Sequence, residues 1–229
     1  MSVRRKFACV LLVTGAFAQR PAPLPPNYKV ILDNESVLVQ RVHYGPHELV
    51  PLHDHPAVAT VYVYLNHSGV VDITHEGPNG FTVHRPPTQT CAFRVSPGMF
   101  ERHSVQNQSD LPSDFLRVEL KHVPIKSLPA EFRGDAPNEP FHSGSETLYD
   151  NPALRIERIL CAPVEKCNLE SESSPSVVAV VPLKSASESK QNPIFWLPAN
   201  KNPSEMKGAA AFEGIDEPWE ILRIVLLKH

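Results

Sequence analysis

The sequence predicts an all-β chain. Helical periodicity is scarce, 24 prolines punctuate the 229 residues, and short apolar–polar alternations recur between turn signals. Taken in order, the candidate strands are Ser36–Tyr44, Glu48–His55, Thr60–Leu65, Gly69–Thr74, Phe81–Arg85, Cys91–Val95, Arg102–Asn107 and Phe115–Lys121. Ser68-Gly69, Gly77-Pro78-Asn79-Gly80 and Ser96-Pro97-Gly98 break the alternation as turns. Many short strands at this spacing suggest a sandwich or a closed roll.

The stretch Val123–Ser145 is rich in proline, glycine and charge and lacks periodicity, so it reads as a linker packed across two halves. After it the opening pattern returns. Asp33-Asn34, Arg41, Pro46, Glu48 and Leu52 recur as Asp150-Asn151, Arg158, Pro163, Glu165 and Leu169 at one constant offset. Near the ends, Leu116-Arg117-Val118 recurs as Leu222-Arg223-Ile224, and each half closes on Leu-Lys-His. Such a repeat predicts two copies of one fold. The expected organisation is a leader over 1–18, a first domain over 25–122, a linker over 123–145 and a second, shorter domain over 146–229.

The leader has the form of a secretory signal. Arg4, Arg5 and Lys6 supply a positive n-region, Phe7–Ala16 a short apolar core, and Ala16-Phe17-Ala18 a small-x-small cleavage site. The apolar run is short for a membrane span. The expected location is therefore secreted or periplasmic, with no membrane association after cleavage. The whole chain has 22 basic and 25 acidic residues; without the three n-region cations it has 19 against 25. That acidic balance argues against a nucleic-acid partner, whose phosphates need a basic surface.

Cys9 leaves with the leader, and Cys91, Cys161 and Cys167 remain, an odd number that argues against a disulfide-built scaffold. Cys161 and Cys167 are able to pair in an oxidising compartment. Buried free thiols are the other reading, and both stand at this point.

The residues with the most chemistry are His53-Asp54-His55 and, about fifty residues later, Arg102-His103 with Asn107. Alternation along a strand points His53 and His55 to one face and Asp54 to the other. His103, from another strand, completes a three-imidazole set suited to a mid-row transition metal with open positions for water, dioxygen or substrate. Glu101, two residues before His103, shares its face as a further ligand or proton-transfer group. Glu48 lies five residues before His53, on the opposite face unless a bulge intervenes, and its recurrence as Glu165 favours a structural role. Tyr62 and Tyr64 share a face that lines the pocket or fills the core. Arg94 reads more readily as a solvated edge residue than as an anion receptor. The remaining histidines, His43, His47, His67, His75, His84, His122 and His142, read as surface or turn residues. No nucleotide loop, nucleophile elbow, zinc-protease helix or nucleic-acid module is present.

These residues resemble the two motifs of the cupin superfamily, small β-barrels of jelly-roll topology. Gly45, His53, His55 and Gly69 occupy the first motif; Pro97-Gly98, His103 and Asn107 occupy the second. The resemblance covers about Tyr28–His122 well and Glu146–His229 in outline. It implies two jelly-roll barrels in tandem, a bicupin with a degenerate second domain. Carried over residue by residue, it implies metal binding by His53, His55 and His103, with Thr60 at the position of the family's glutamate ligand. A three-histidine site of this kind is seen in cysteine-dioxygenase-like cupins. The second copy has Glu170 and Glu172 in place of the histidine pair, and Ala209 near the place of His103.

The function expected is a metal-dependent dioxygenase or isomerase acting on a small molecule, with one divalent transition metal (iron, manganese, nickel or zinc). The alternative is a non-catalytic ligand-binding or structural protein, and a scaffold formed by oligomerisation is a third reading. Two fused barrels are compatible with a homodimer.

Overall fold

The computed structural model describes residues 23–123, 128, 130–163, 169, 171–183, 193–201 and 218–227. The leader, Cys167, Glu165, Glu170 and Ala209 lie outside them. The described residues form fifteen strands. In chain order these are β1 (Tyr28–Asp33), β2 (Val37–Tyr44), β3 (Leu49–His55), β4 (Ala59–Tyr64), β5 (Val71–His75), β6 (Phe81–Arg85), β7 (Phe93–Ser96), β8 (Glu101–Asn107), β9 (Ser113–Leu120), β10 (Phe132–Gly134), β11 (Gly144–Asp150), β12 (Leu154–Cys161), β13 (Ser176–Pro182), β14 (Ile194–Leu197) and β15 (Trp219–Leu226). No helix among the described residues is long and apolar enough to cross a membrane.

The strands make three antiparallel sheets. The first has six strands in the order β1-β2-β9-β4-β7-β10, the second five in the order β11-β12-β15-β13-β14, and the third four in the order β3-β8-β5-β6. The five-stranded order repeats the first five positions of the six-stranded sheet. β12 and β13 fall on β2 and β4 at the offset of the sequence repeat, so the repeated motifs mark a repeated sheet. Among the described residues, the second half has no counterpart of the four-stranded sheet.

Alternation explains how the layers stack. On β4, Ala59, Val61 and Val63 point to one face, and Tyr62 and Tyr64 to the other; every residue of the strand is buried. The odd-numbered set joins Val37, Val39, Leu116 and Val118 in a core shared with Leu154, Ile156, Val177, Ala179, Leu222 and Ile224 of the five-stranded sheet. The even-numbered set packs with Val42, Val50, Val71, Val105 and Phe115 between the six- and four-stranded sheets. A strand covered on both sides loses the polar–apolar alternation of a solvated one. That is why Ala-Thr-Val-Tyr-Val-Tyr carries no charge.

The linker contributes more than a tether. Its β10 extends the six-stranded sheet by pairing with β7. Phe132 there packs against Phe93 at 5.9 Å and against Tyr149 of the second half at 5.0 Å between ring centroids. Cys91 is a free, buried thiol, whereas Cys161 is disulfide-bonded.

Gly98, from the turn before β8, has φ +87°, and a Cβ there would lie 2.2 Å from the Val58 carbonyl oxygen. Backbone cannot yield as a flexible side chain would. Gly98→Ala is therefore expected to cost about 2 kcal/mol or more, through strain and clash together. Gly144→Ala, which meets nothing within 4 Å and has no left-handed φ, should stay within about 0.5 kcal/mol of the parent. Thermal denaturation of the two variants side by side checks this.

Candidate metal centre

His53 and His55 reach the interior because β3 is irregular. Val50 pairs with Val105 and His53 with His103, so β3 spends one more residue than β8 across that step. Plain alternation would place Val50 and His53 on opposite faces. The bulge puts both inside, and both are fully buried. Pro51, which has no N–H to offer the ladder, occupies the irregular stretch. Asp54 points the other way and meets Arg102 at 3.5 Å.

The structure gathers the three histidines that the sequence singled out. Their candidate ligand atoms all lie within 4.8 Å of one another, and all three residues are buried. Ring centroids are separated by 4.9 Å (His53–His55), 4.7 Å (His53–His103) and 5.2 Å (His55–His103). His53 Nδ1 lies 2.7 Å from the Pro51 carbonyl oxygen, which can only accept. That nitrogen therefore carries the proton, and the Nε2 lone pair faces inward, where the Tyr28 hydroxyl donates to it at 2.9 Å. The Tyr28 oxygen in turn accepts from Tyr44 at 2.6 Å.

The other two rings are poorly satisfied by protein. Both nitrogens of His55 and Nδ1 of His103 are buried without a hydrogen-bond partner. Buried polar atoms nearly always have one, and a cation is a partner that accepts a nitrogen lone pair. Burial is the main cause that holds all three imidazoles neutral. It pushes the His53 and His55 pKa values down, with Arg117 adding to the effect on each. His103 falls to about 3, through burial first and then His53 and His75. Neutral imidazole is the form that ligates. The donor set therefore fits a divalent transition metal.

A narrow cavity of about 60 Å³ adjoins the cluster, lined among others by His55, His103, Tyr62, Tyr64 and Glu101. Val71, Ile73 and Val105 give it apolar walls. Arg117 spans its floor, donating to Glu119 at 3.0 Å and to the Tyr62 hydroxyl at 2.6 Å, with Glu101 at 3.5 Å.

Several other residues take places the sequence left open. Thr60 donates to the Val58 carbonyl oxygen. Glu48 accepts from Gly45 N–H at 2.6 Å and from Asn27 at 2.9 Å, a structural use that matches its recurrence outside the histidine half. Asn107 fastens two loops, donating to the carbonyls of Gly45 and Leu111. Glu172, in the place of a second-copy histidine, pairs with Arg155 at 2.8 Å.

Two readings are corrected. Arg94 is no solvated edge residue: its guanidinium lies 4.2 Å from the centroid of the Tyr62 ring and lines the cavity. His75 is no surface residue either. It lines the cavity with its ring 5.2 Å from His103 and stacked on Phe81. The signal for His75 was present, since Val71, Ile73 and His75 share one face by alternation. Tyr28 gave none, because its contact with His53 joins strands of different sheets.

No protein-family profile matches the chain, and no curated protein matches it by sequence. Solved structures do match. AerE from Microcystis aeruginosa superposes with a TM-score of 0.56 at 11% identity, over 91% of this chain and 97% of its own. YhaK from Escherichia coli gives 0.51 at 12% identity, over 88% of this chain and 92% of its own. Both likenesses are of fold alone, an all-β arrangement of antiparallel sheets. A cupin domain from Bordetella pertussis Tohama I is 25% identical over 45% of this chain and 97% of its own, with a TM-score of 0.35. The AerE and YhaK likenesses each span both halves of this chain.

The depressed imidazoles set a pH dependence. Near pH 6.5 an unfolded histidine begins to take a proton that folded His103 refuses until about pH 3. The unfolded chain thus binds more protons as pH falls, and the folded state loses stability across that window. Above pH 6.5 both states are neutral and the effect vanishes. For metal-free protein, His103 alone should remove on the order of 4 kcal/mol between those limits. Thermal denaturation from pH 7 to pH 4 should show a shallower decline for His103→Gln than for the parent; equal slopes would remove His103 from the account.

Proposed function

We propose that this chain is an exported, metal-dependent enzyme built from tandem cupin-type units over residues 25–122 and 146–229, with its working site in the first. The observation that carries the reading is the meeting of three buried imidazoles beside a cavity, with ring nitrogens that find no protein partner. His53, His55 and His103 would hold one divalent ion of iron, manganese, nickel or zinc. Such an ion supplies Lewis-acid or one-electron chemistry, which suits a dioxygenase or an isomerase acting on a small molecule. The repeated strand order supports the tandem organisation. The pattern of residues 1–18 supports export, and the disulfide at Cys161 suits an oxidising compartment.

The chain's own residues do the rest. Pro51 fixes the His53 tautomer through Nδ1–H. Tyr28, whose pKa is raised by burial and then by Tyr44, stays protonated and serves as a hydrogen-bond donor inside the cavity. Glu101 is the carboxylate on the cavity wall, placed opposite His55 in the β3–β8 ladder, and it takes or gives the proton of a bound molecule. Arg117 steadies it from behind. The apolar walls exclude bulk water. The small volume favours the second reading, a ligand-binding or structural unit without turnover.

Elemental analysis separates the two. Protein purified without added metal should carry close to one equivalent of iron, manganese, nickel or zinc, and a His53→Ala/His103→Ala variant should carry almost none. Wild type that is metal-free and stays so after reconstitution with each of the four ions would overturn the metalloenzyme reading.

A further inference from the structure

The buried arginines of this protein are not equivalent. Arg117 has Glu119 at 3.0 Å, Arg158 has Glu220 at 3.0 Å, and Arg223 has Glu157 at 3.9 Å. Arg85, 7% exposed at the end of β6, has no carboxylate within salt-bridge distance among the described residues. Its Nη2 donates to Ser68 at 3.1 Å and Ser113 at 2.9 Å, while its Nε is buried with no partner. A guanidinium taken out of water is costly unless an anion answers it, and two hydroxyls orient it without supplying charge.

Arg94 repeats part of the pattern from the neighbouring sheet. One end meets Glu131 at 3.3 Å, but its Nε is also buried and unpartnered. The two guanidinium groups rest on adjacent aromatic rings, Arg85 at 5.3 Å from the Tyr64 centroid and Arg94 at 4.2 Å from that of Tyr62. Both arginines and Tyr64 line the histidine cavity on one side and a second cavity of about 280 Å³ on the other. They stand where a molecule entering from the larger space would meet the smaller one.

We propose that Arg85, assisted by Arg94, binds the carboxylate of a small organic acid whose body lies along Tyr62 and Tyr64 toward the three histidines. A carboxylate carries the single negative charge that Arg85 lacks, and its planar pair of oxygens matches the guanidinium fork. The aromatic rings offer flat apolar surface to the remainder of the acid. The inference names the substrate class for the site proposed above and rests on that cavity being a ligand site, though not on the metal.

The test uses benzoate as probe, with benzyl alcohol as its neutral counterpart and inorganic phosphate as the rival anion, read by titration calorimetry and by shift in Tm. Benzoate should bind the wild-type chain saturably and raise its Tm, and benzyl alcohol should do neither. Arg85→Gln should weaken benzoate by about tenfold or more, Arg94→Gln by less, and Arg85→Lys by an intermediate factor because charge remains and the fork is lost. Lys29→Gln, on the exposed stretch of β1 and lining neither cavity, should leave binding unchanged. If Arg85→Gln does not fold, the wild-type Tm shift and Arg85→Lys carry the test. No saturable benzoate binding, binding indifferent to Arg85, or binding of phosphate alone would each overturn the proposal. Benzoate binding retained in His53→Ala/His103→Ala would uphold it even where the metal assignment fails.

Discussion

At its centre, on β4 and β9, the six-stranded sheet is buried on both faces, and everything else is arranged around that constraint. Its odd-numbered β4 residues are sealed by the second half of the chain and its even-numbered ones by the four-stranded sheet. Apolar surface removed from water is the main source of folding free energy, so this one sheet contributes to two cores at once. It also gives the cavity a rigid floor. Tyr62, Tyr64, Phe115 and Arg117 all rise from strands that cannot shift without disturbing packing on the opposite side.

On that floor the site is a balance of unlike demands. The histidines are kept neutral by burial and by nearby Arg117, an environment that a cation would not choose on electrostatic grounds alone. Glu119 and Glu101 answer Arg117 and reduce the field it casts on the ring nitrogens. The cavity is thus basic at its arginine end and lone-pair-rich at its histidine end. An anionic group answers the first, and a cation or a hydrogen-bond donor answers the second.

Much of this was legible in the sequence, because local alternation is enough to mark a strand. The eight strands expected in the first half all form, with bounds moved by a residue or two. The His-x-His pair and the later His103 do lie together, and the repeat offset sets β12 and β13 on β2 and β4. What was missed has a common physical origin. β1 has a mostly exposed face and so shows no period. β10 hides in a proline-rich stretch and exists only because β7 offers it an edge. Tyr28 and Arg85 became site residues through contacts between sheets, which leave no mark on spacing within a strand, and Arg94 through its place opposite Tyr62 in the β4–β7 ladder. Pro51 was a readable sign of the bulge; a proline inside a strand that carries buried residues on either side of it seldom sits in a regular ladder.

The two-faced strand β4 has a further meaning for how such a protein changes over time. Positions 59, 61 and 63 answer to the other half of the chain, while 62 and 64 answer to whatever enters the cavity. The two sets interleave but do not touch the same neighbours. Drift at the pocket can therefore proceed while the docking of the halves is held fixed. A lineage could exchange one small ligand for another without renegotiating its assembly.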